Sequence, residues 1–260
     1  MKIDVLWSPS ELEGVSVQDR VAVVIDVLRA GTTIATAIRH GARAIFPVAS
    51  IEEAMRLATS LGRGEVLLCG ERQGLRVEGF DLGNSPAEFS FDLSDRTIVM
   101  TTTNGTRALA ALSAAKVTYV ASLVNLSAVA QQLGAAGGEP LIVCAGREGR
   151  VSAEDALCAG LLVERLVNEG PLISGGAAGA QLGDGAVAAL ALARAYSPAD
   201  VLFLRNTAAG CALEKIGQGR DIELCAQVDA IPEIPVFRER QVTRLDLATE
   251  LGSGGRQKAV

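Results

Sequence analysis

The chain has 260 residues, 49% of them hydrophobic, enough to bury a large core in one sizeable α/β domain or two small ones. A net charge of −6 argues against broad binding to nucleic-acid phosphates, and an aromatic content of 3% argues against base-stacking platforms. No uncharged run is long enough to span a bilayer, and Met1 leads straight into a strand pattern with no signal-peptide pattern.

Lys2 to Trp7 reads as a first strand and 8–20 as a connecting loop. Val21 to Ile25, VAVVI, is the β-branched run of a central parallel strand. It ends at Asp26, so Asp26 falls at the carboxyl end of a buried strand, where open α/β sheets place ligands. Arg29, Thr32 and Thr33 follow in the loop or the helix start, and Gly41 closes that helix. His40, the one histidine, stands at the helix end, an ordinary place for a cation. Histidine-dependent nucleophilic mechanisms are therefore disfavoured.

Ala44 to Val48 is a short strand. Ser50 and Glu53 form a capping box, and Ile51, Ala54, Met55, Ala58 and Leu61 make the apolar stripe of the helix behind it. Glu65 to Cys69 is the next strand. The stretch 70–86, GERQGLRVEGFDLGNSP, is the longest polar loop and carries Glu71, Arg72 and Arg76. Long ordered loops are uncommon unless they are functional.

The stretch Ile98 to Leu109, IVMTTTNGTRAL, organises the rest. An apolar strand runs into Thr101, Thr102, Thr103 and Asn104, then Gly105, then a helix whose apolar positions include Ala108, Ala111, Leu112 and Ala115. Arg107 falls in the helix's first turn, where the dipole disfavours a cation. Hydroxyls, amides and a misplaced arginine are what an anion site needs. The competing reading is a plain Asn-Gly turn with threonine capping.

Strand 116–121, helix 125–133 and strand 141–144 follow, then AGREGRVSAED and a helix ending near Asn168. Residues 175–185 are rich in Gly and Ala. Helices are expected over 186–196 and 208–216, and late edge strands over 232–236 and 241–247. The tail 252–260, GSGGRQKAV, reads as disordered. The five cysteines are odd in number and form no CxxC pair, as in a reduced cytoplasmic protein without a zinc site. VVIDVLRAGTTIATA, IVMTTTNGTRALAAL and LIVCAGREGRVSAEDALCAG share one local plan of buried strand, polar turn and helix, too loosely to count as a repeat. The alternation predicts an α/β fold, a mostly parallel sheet with helices on both faces. One domain is expected over 1–248, with a flexible tail at 249–260.

Several blocks resemble one family. They are VVIDVLRA with TTI (23–30, 32–34), GER (70–72), GFDLGNSP (79–86), TTTNGTRAL (101–109), CAG (144–146) and EDALCAG (154–160), with a weaker match in DIELCAQVD (221–229). In order and number they resemble the 2-phosphosulfolactate phosphatase, or ComB-like, family. The resemblance implies a three-layer α/β/α fold. It also implies Mg²⁺-dependent hydrolysis of (2R)-2-phospho-3-sulfolactate to 3-sulfolactate and phosphate, a step toward coenzyme M. The family usually reads LRATTT or LRATST where this chain reads LRAGTT, so Gly31 removes a hydroxyl near Asp26.

Such a substrate carries phosphate, sulfonate and carboxylate, which calls for local cations on an acidic protein. Arg29, Arg72 and Arg107 are the candidates, with Asp26, Arg29 and Arg107 in catalytic roles. Thr32, Thr33, Arg72, Asn84, Ser85, Thr103, Asn104, Gly105 and Thr106 are candidates for substrate binding, the amides of 104–106 holding phosphoryl oxygens. Magnesium takes hard oxygen ligands and keeps several waters, so one or two carboxylates suffice. Asp26, Glu71 and Asp155 are the candidates, with Glu154 in reserve. A bound water, or Asp26 itself, attacks phosphorus in line. For Asp155 there is a structural alternative, an acid in a helix's first turn behind Ser152.

Two other readings compete. Cys144 to Arg150 has the C-x5-R spacing of cysteine phosphatases, but Arg147 stands where that loop carries a glycine. A non-catalytic anion- or nucleotide-binding module lacks GxGxxG and GxxxxGK[ST] fingerprints here. The expected partner is a small anionic phosphoester, with no nucleic acid or membrane, and a homodimer is left open.

Overall fold

The structure, a computed structural model, describes residues 2–169, 180–196 and 200–246. In the first half of the chain come β1 (Lys2–Leu6), β2 (Val21–Ile25), α1 (Ala30–Arg39), β3 (Ala44–Pro47), α2 (Ile51–Leu61), β4 (Val66–Arg72), β5 (Leu75–Arg76), β6 (Thr97–Thr101), α3 (Gly105–Ala111) and β7 (Val117–Ala121). Then follow α4 (Leu126–Ala136), β8 (Leu141–Cys144), α5 (Ala153–Glu169), β9 (Gln181–Leu182), α6 (Asp184–Ala195), α7 (Val201–Asn206), α8 (Ala208–Lys215), α9 (Arg220–Cys225), β10 (Pro235–Arg238) and β11 (Gln241–Arg244). Among the described residues the strands form one sheet in the order β5-β4-β6-β3-β11-β10-β7-β2-β8-β1-β9.

The pairing β4-β6-β3 is parallel, and so is β7-β2-β8-β1-β9. Between them sits the β10–β11 hairpin, antiparallel to both neighbours. The expected late edge strands are therefore central. Their short apolar faces, with Val236, Phe237 and Val242 buried, fill the gap between two parallel halves. Sequence periodicity carries no information about which neighbours a short strand will find. The segment 70–86 is also more structured than a loop, because β4 runs on to Arg72 and turns back through β5. The short helices α7 and α9 and strand β9 were not anticipated. The tail 249–260 and the end of the 241–247 strand lie outside the described residues, as do residues 175–179 of the 175–185 segment.

Strand alternation sorts the core. Val23 and Ile25 of β2 and Ile142 and Cys144 of β8 face a cluster with Leu162 and Val163 of α5 and Leu126 and Val129 of α4. Ala22, Val24 and Val143 face the other way, into a cluster with Ile34 and Ile38 of α1 and Leu109 of α3. That second cluster also takes Ile45, Ile98 and Met100 from the other half of the sheet. Helix α2 covers the outer face of that half through Ala54 and Ala58 against Leu68 and Val99. The expected α/β fold, a mostly parallel sheet with helices on both faces, is the observed one. The predicted capping box forms in a relaxed version, with Glu53 N donating to Ser50 Oγ at 3.1 Å and Ala49 N donating to Glu53 Oε2 at 3.0 Å.

An odd number of antiparallel steps across the hairpin sets the two halves running in opposite senses. Their carboxyl ends nonetheless meet, because a Cβ on Gly105 would lie 2.6 Å from Asp26 Oδ2. The sheet must therefore curl, and α3 lies in the fold of the curl, against both β2 and β3.

Candidate active site

The corners that follow β2, β6 and β8 converge on Asp26. Its Oδ1 accepts the Ala30 amide at 3.0 Å, which pins the carboxylate at the start of α1. Its Oδ2 faces Gly105, where the absent side chain makes room: a Cβ would stand 2.6 Å from both Asp26 Oδ2 and Ala30 Cβ. Behind it, Asp155 accepts the Val27 amide at 2.8 Å on one oxygen and the Gly146 amide at 3.1 Å on the other. Asp155 thus ties the corner after β2 to the corner after β8. Burial, followed by the Ala30 bond that opposes it and then the Glu71 and Glu154 carboxylates that add to it, leaves Asp26 pushed up to about 7. Burial and the Asp26 and Glu154 charges likewise push Asp155 well above the carboxylate range.

The second carboxylate comes from the other half of the sheet. Glu71, near the end of β4, accepts the Thr103 amide at 2.8 Å on Oε1 and the Gly74 amide at 2.7 Å on Oε2. It thereby joins the β4–β5 turn to the threonine corner after β6. Arg72 braces the same corner, its guanidinium donating to Thr101 Oγ1 at 3.0 Å and to the Glu71 carbonyl at 2.6 Å.

Asp26 and Glu71 line one cleft of about 560 Å³. Arg29, Arg72 and Arg147 stand around it, with Asn84, Thr102, Thr103, Asn104 and Glu148. Its remaining wall is apolar, from Leu28 and from Ala209, Ala212, Leu213 and Ile216 on or just after α8. Two polar atoms of this lining, Asn84 Oδ1 and Thr103 Oγ1, are buried without a protein partner. Buried polar atoms are normally satisfied, so these two are groups that a ligand can complete.

Other expected residues lie nearby without facing the cleft. Thr32 Oγ1 donates to the Val27 carbonyl at 3.0 Å, and Thr33 Oγ1 donates to the Asn84 carbonyl at 3.0 Å. These hydroxyls brace the walls. Ser85 Oγ donates to Asp221 Oδ1 at 2.6 Å. The Thr106 amide is committed to Thr102 Oγ1 at 3.1 Å, so of the amides at 104–106 this one is not available to hold a phosphoryl oxygen. Glu154 and Asp155 are buried behind Asp26 and do not line the cleft. Arg107 is exposed and is not among the lining residues. Gly31 is not in the lining either: a Cβ there would meet the Asp26 carbonyl oxygen at 2.5 Å and that of Ala121 at 2.8 Å. The hydroxyl expected to be missing near Asp26 would thus start from a backbone-filled corner.

The rival chemistries lose their ground in the same geometry. Cys144 is fully buried in the core among Leu157, Cys158 and Ile142, and burial pushes its thiol well above the usual range. His40 caps the end of α1 and lies outside the cleft. Sequence reasoning passed over Arg147, Glu148 and the apolar wall of α8. Arg147 was visible only as a break in a cysteine-phosphatase pattern, and α8 carries no motif at all.

Among the described residues, no group of three or more His, Cys, Asp or Glu side chains is arranged to hold a metal ion. The expected carboxylate set is split, with Asp26 and Glu71 on the cleft and Glu154 and Asp155 behind it. A magnesium ion that keeps its waters needs no more than the two that face the cleft. Among the described residues no helix is long and apolar enough to cross a membrane.

Comparison with known proteins agrees with this geometry. The family model described as 2-phosphosulpholactate phosphatase matches residues 6–240. A protein of Pseudothermotoga lettingae named "Probable 2-phosphosulfolactate phosphatase" is 40% identical over 240 residues, covering 91% of this chain and 96% of the relative. Proteins of the same name from Carboxydothermus hydrogenoformans and Clostridium beijerinckii are 37% and 32% identical, covering 90% and 94% of this chain and 92% and 99% of those relatives. With the cleft assembled from the blocks that carry the likeness, the chain belongs to the 2-phosphosulpholactate phosphatase family.

Proposed function

We propose that this chain hydrolyses (2R)-2-phospho-3-sulfolactate to 3-sulfolactate and inorganic phosphate, with Mg²⁺ as its metal, in the cytoplasm, as a step toward coenzyme M. The observation that carries the reading is the meeting of Asp26 and Glu71 with Arg29, Arg72 and Arg147 on one cleft, in a chain of this family. All five cysteines are free, which supports the cytoplasmic assignment.

Asp26 and Glu71 are the residues that would hold the metal. Hard oxygen donors suit it, and a cation would offset both the burial that chiefly raises Asp26 and the Glu71 and Glu154 charges that add to it. When bound, a divalent ion supplies charge neutralisation on the phosphoryl oxygens and polarises the ester. Arg72 and Arg147 meet the remaining anionic oxygens of the substrate, and the Thr103 hydroxyl donates to one of them. Gly105 keeps the approach to Asp26 open. A water beside Asp26 attacks phosphorus in line with the departing C2 oxygen. In the covalent variant, Asp26 itself attacks as the bond from phosphorus to the C2 oxygen breaks, and water then hydrolyses the aspartyl-phosphate to release phosphate.

Phosphate release from a panel of 2-phospho-hydroxyacids, with and without a 3-sulfonate, tests the reading in Mg²⁺ and in EDTA. Turnover of the sulfonate compound that EDTA abolishes is the expected result. Preference for a 2-phospho-hydroxyacid lacking the sulfonate would move the substrate, and binding without any release would make the chain an anion-binding module. Trapping a labelled aspartyl-phosphate would select the covalent route.

A further inference from the structure

Arg29 is the least accessible cation of the cleft, its side chain 2% exposed. Its Nη1 donates to Asp221 Oδ2 at 2.6 Å and also to Gln218 Oε1, while its Nη2 donates to the Gly74 carbonyl at 2.8 Å. Asp221 is equally hidden, its side chain 5% exposed, and its other oxygen accepts the Ser85 hydroxyl at 2.6 Å. Gln218 precedes α9 and Asp221 lies within it. The guanidinium is thus clamped between the C-terminal helices and the β4–β5 turn. Ile216 packs over the same turn, since a Cβ on Gly74 would lie 2.6 Å from Ile216 Cδ1.

A guanidinium has five N–H donors in a fixed plane. The bonds to Asp221, Gln218 and Gly74 leave the remaining donors for an anion in the cleft that Arg29 lines. A buried arginine without a counter-charge would be driven toward solvent or toward Asp26. We infer that Asp221 is a positioning residue: it holds the Arg29 guanidinium in the cleft wall with its unused edge toward the phosphate or carboxylate of the substrate. Ser85 fixes the carboxylate that fixes Arg29, which gives the candidate Ser85 an indirect part. This inference rests on the proposed phosphatase reading for its substrate, but not for its anion.

The test is a double-mutant cycle over D221N, R29Q and the R29Q/D221N pair, read both as kcat/KM for 2-phosphosulfolactate and as the Kd of inorganic phosphate by calorimetry. The double variant removes both members of the buried Arg29–Asp221 pair, so it is expected to fold even where D221N alone is unstable. D221N is expected to lower kcat/KM at least tenfold and to weaken phosphate binding in the wild-type background. In the R29Q background it should change either quantity less than twofold, because the residue it acts through is gone. An equal factor in both backgrounds, or no effect in the wild type, overturns the inference. If the wild type binds phosphate but does not turn over the sulfonate substrate, the phosphatase reading falls while the phosphate Kd still decides the role of Asp221.

Discussion

The corner at the end of β2 and the corner at the end of β4 each present a buried carboxylate to the same cleft, and they treat it differently. Glu71 accepts a backbone amide on each oxygen, from Thr103 and Gly74. Asp26 accepts one, from Ala30, and its other oxygen looks past Gly105. One carboxylate is held by the fold and holds loops in return. The other is left in a dry, negatively charged place that pushes it up to about 7. An acid with an amide on each oxygen is fixed in place and keeps spare lone pairs for a cation, whereas an acid with fewer partners is poised for chemistry.

The contrast breaks most sharply at Asp26. D26N keeps the oxygen that accepts from Ala30 and should lower phosphate release by on the order of 10³-fold while leaving the fold intact. The same variant tests the electrostatics. Asp26 lies at about 7 against an ordinary 3.8, so its contribution to stability is present below the ordinary value and is lost as pH rises through about 7. In EDTA, wild-type thermal stability should fall between about pH 4 and pH 7, and D26N should flatten that slope and melt higher at pH 8.

E71Q comes next. One amide acceptor becomes a donor facing a backbone N–H, so the variant should lose about 1–3 kcal/mol of stability by chemical denaturation. It should also raise the Mg²⁺ concentration needed for half-maximal activity. A variant as stable as wild type would show that Glu71 does not hold these loops. G105A sharpens the comparison from the other side. Its methyl would collide with Asp26 Oδ2 and Ala30 Cβ, each 2.6 Å away. It should cost about 1–3 kcal/mol and reduce kcat more than KM. The smallest effect is expected from thiol chemistry. Cys69, Cys144 and Cys158 are buried and pushed well above their usual range, and Cys225 is pushed up to about 12, leaving Cys211 exposed. Iodoacetamide on the folded protein should label Cys211 alone and leave phosphate release unchanged. Loss of activity would return Cys144 to the mechanism.

The fold class was legible because hydrophobic period and strand-end position are local properties. VAVVI running into Asp26, the capped helix behind Ser50, and IVMTTTNGTRAL all stand where their patterns placed them. The cleft positions of Asp26 and Glu71 follow from the same local property, since each lies at or near the carboxyl end of a buried strand. Arg107 is a candidate from the helix dipole and from the TTTNGTRAL likeness, but neither fixes its facing: a shift of one residue turns a helical side chain by about 100°, and here it is exposed. Asp155 was ambiguous because an acid in a first helical turn reads alike whether it binds a metal or two backbone amides.

The amino-acid order by itself determined which segments would be strands and helices and which would end in polar, ligand-ready corners, because backbone propensity and burial act over a few residues. Only the tertiary structure decided that the β10–β11 hairpin would sit between the two parallel halves, that the sheet would curl to bring Gly105 against Asp26, and that α9 would deliver Asp221 to Arg29. These pairings join residues far apart in the chain, and their free energy comes from burying surfaces that no local pattern identifies as partners.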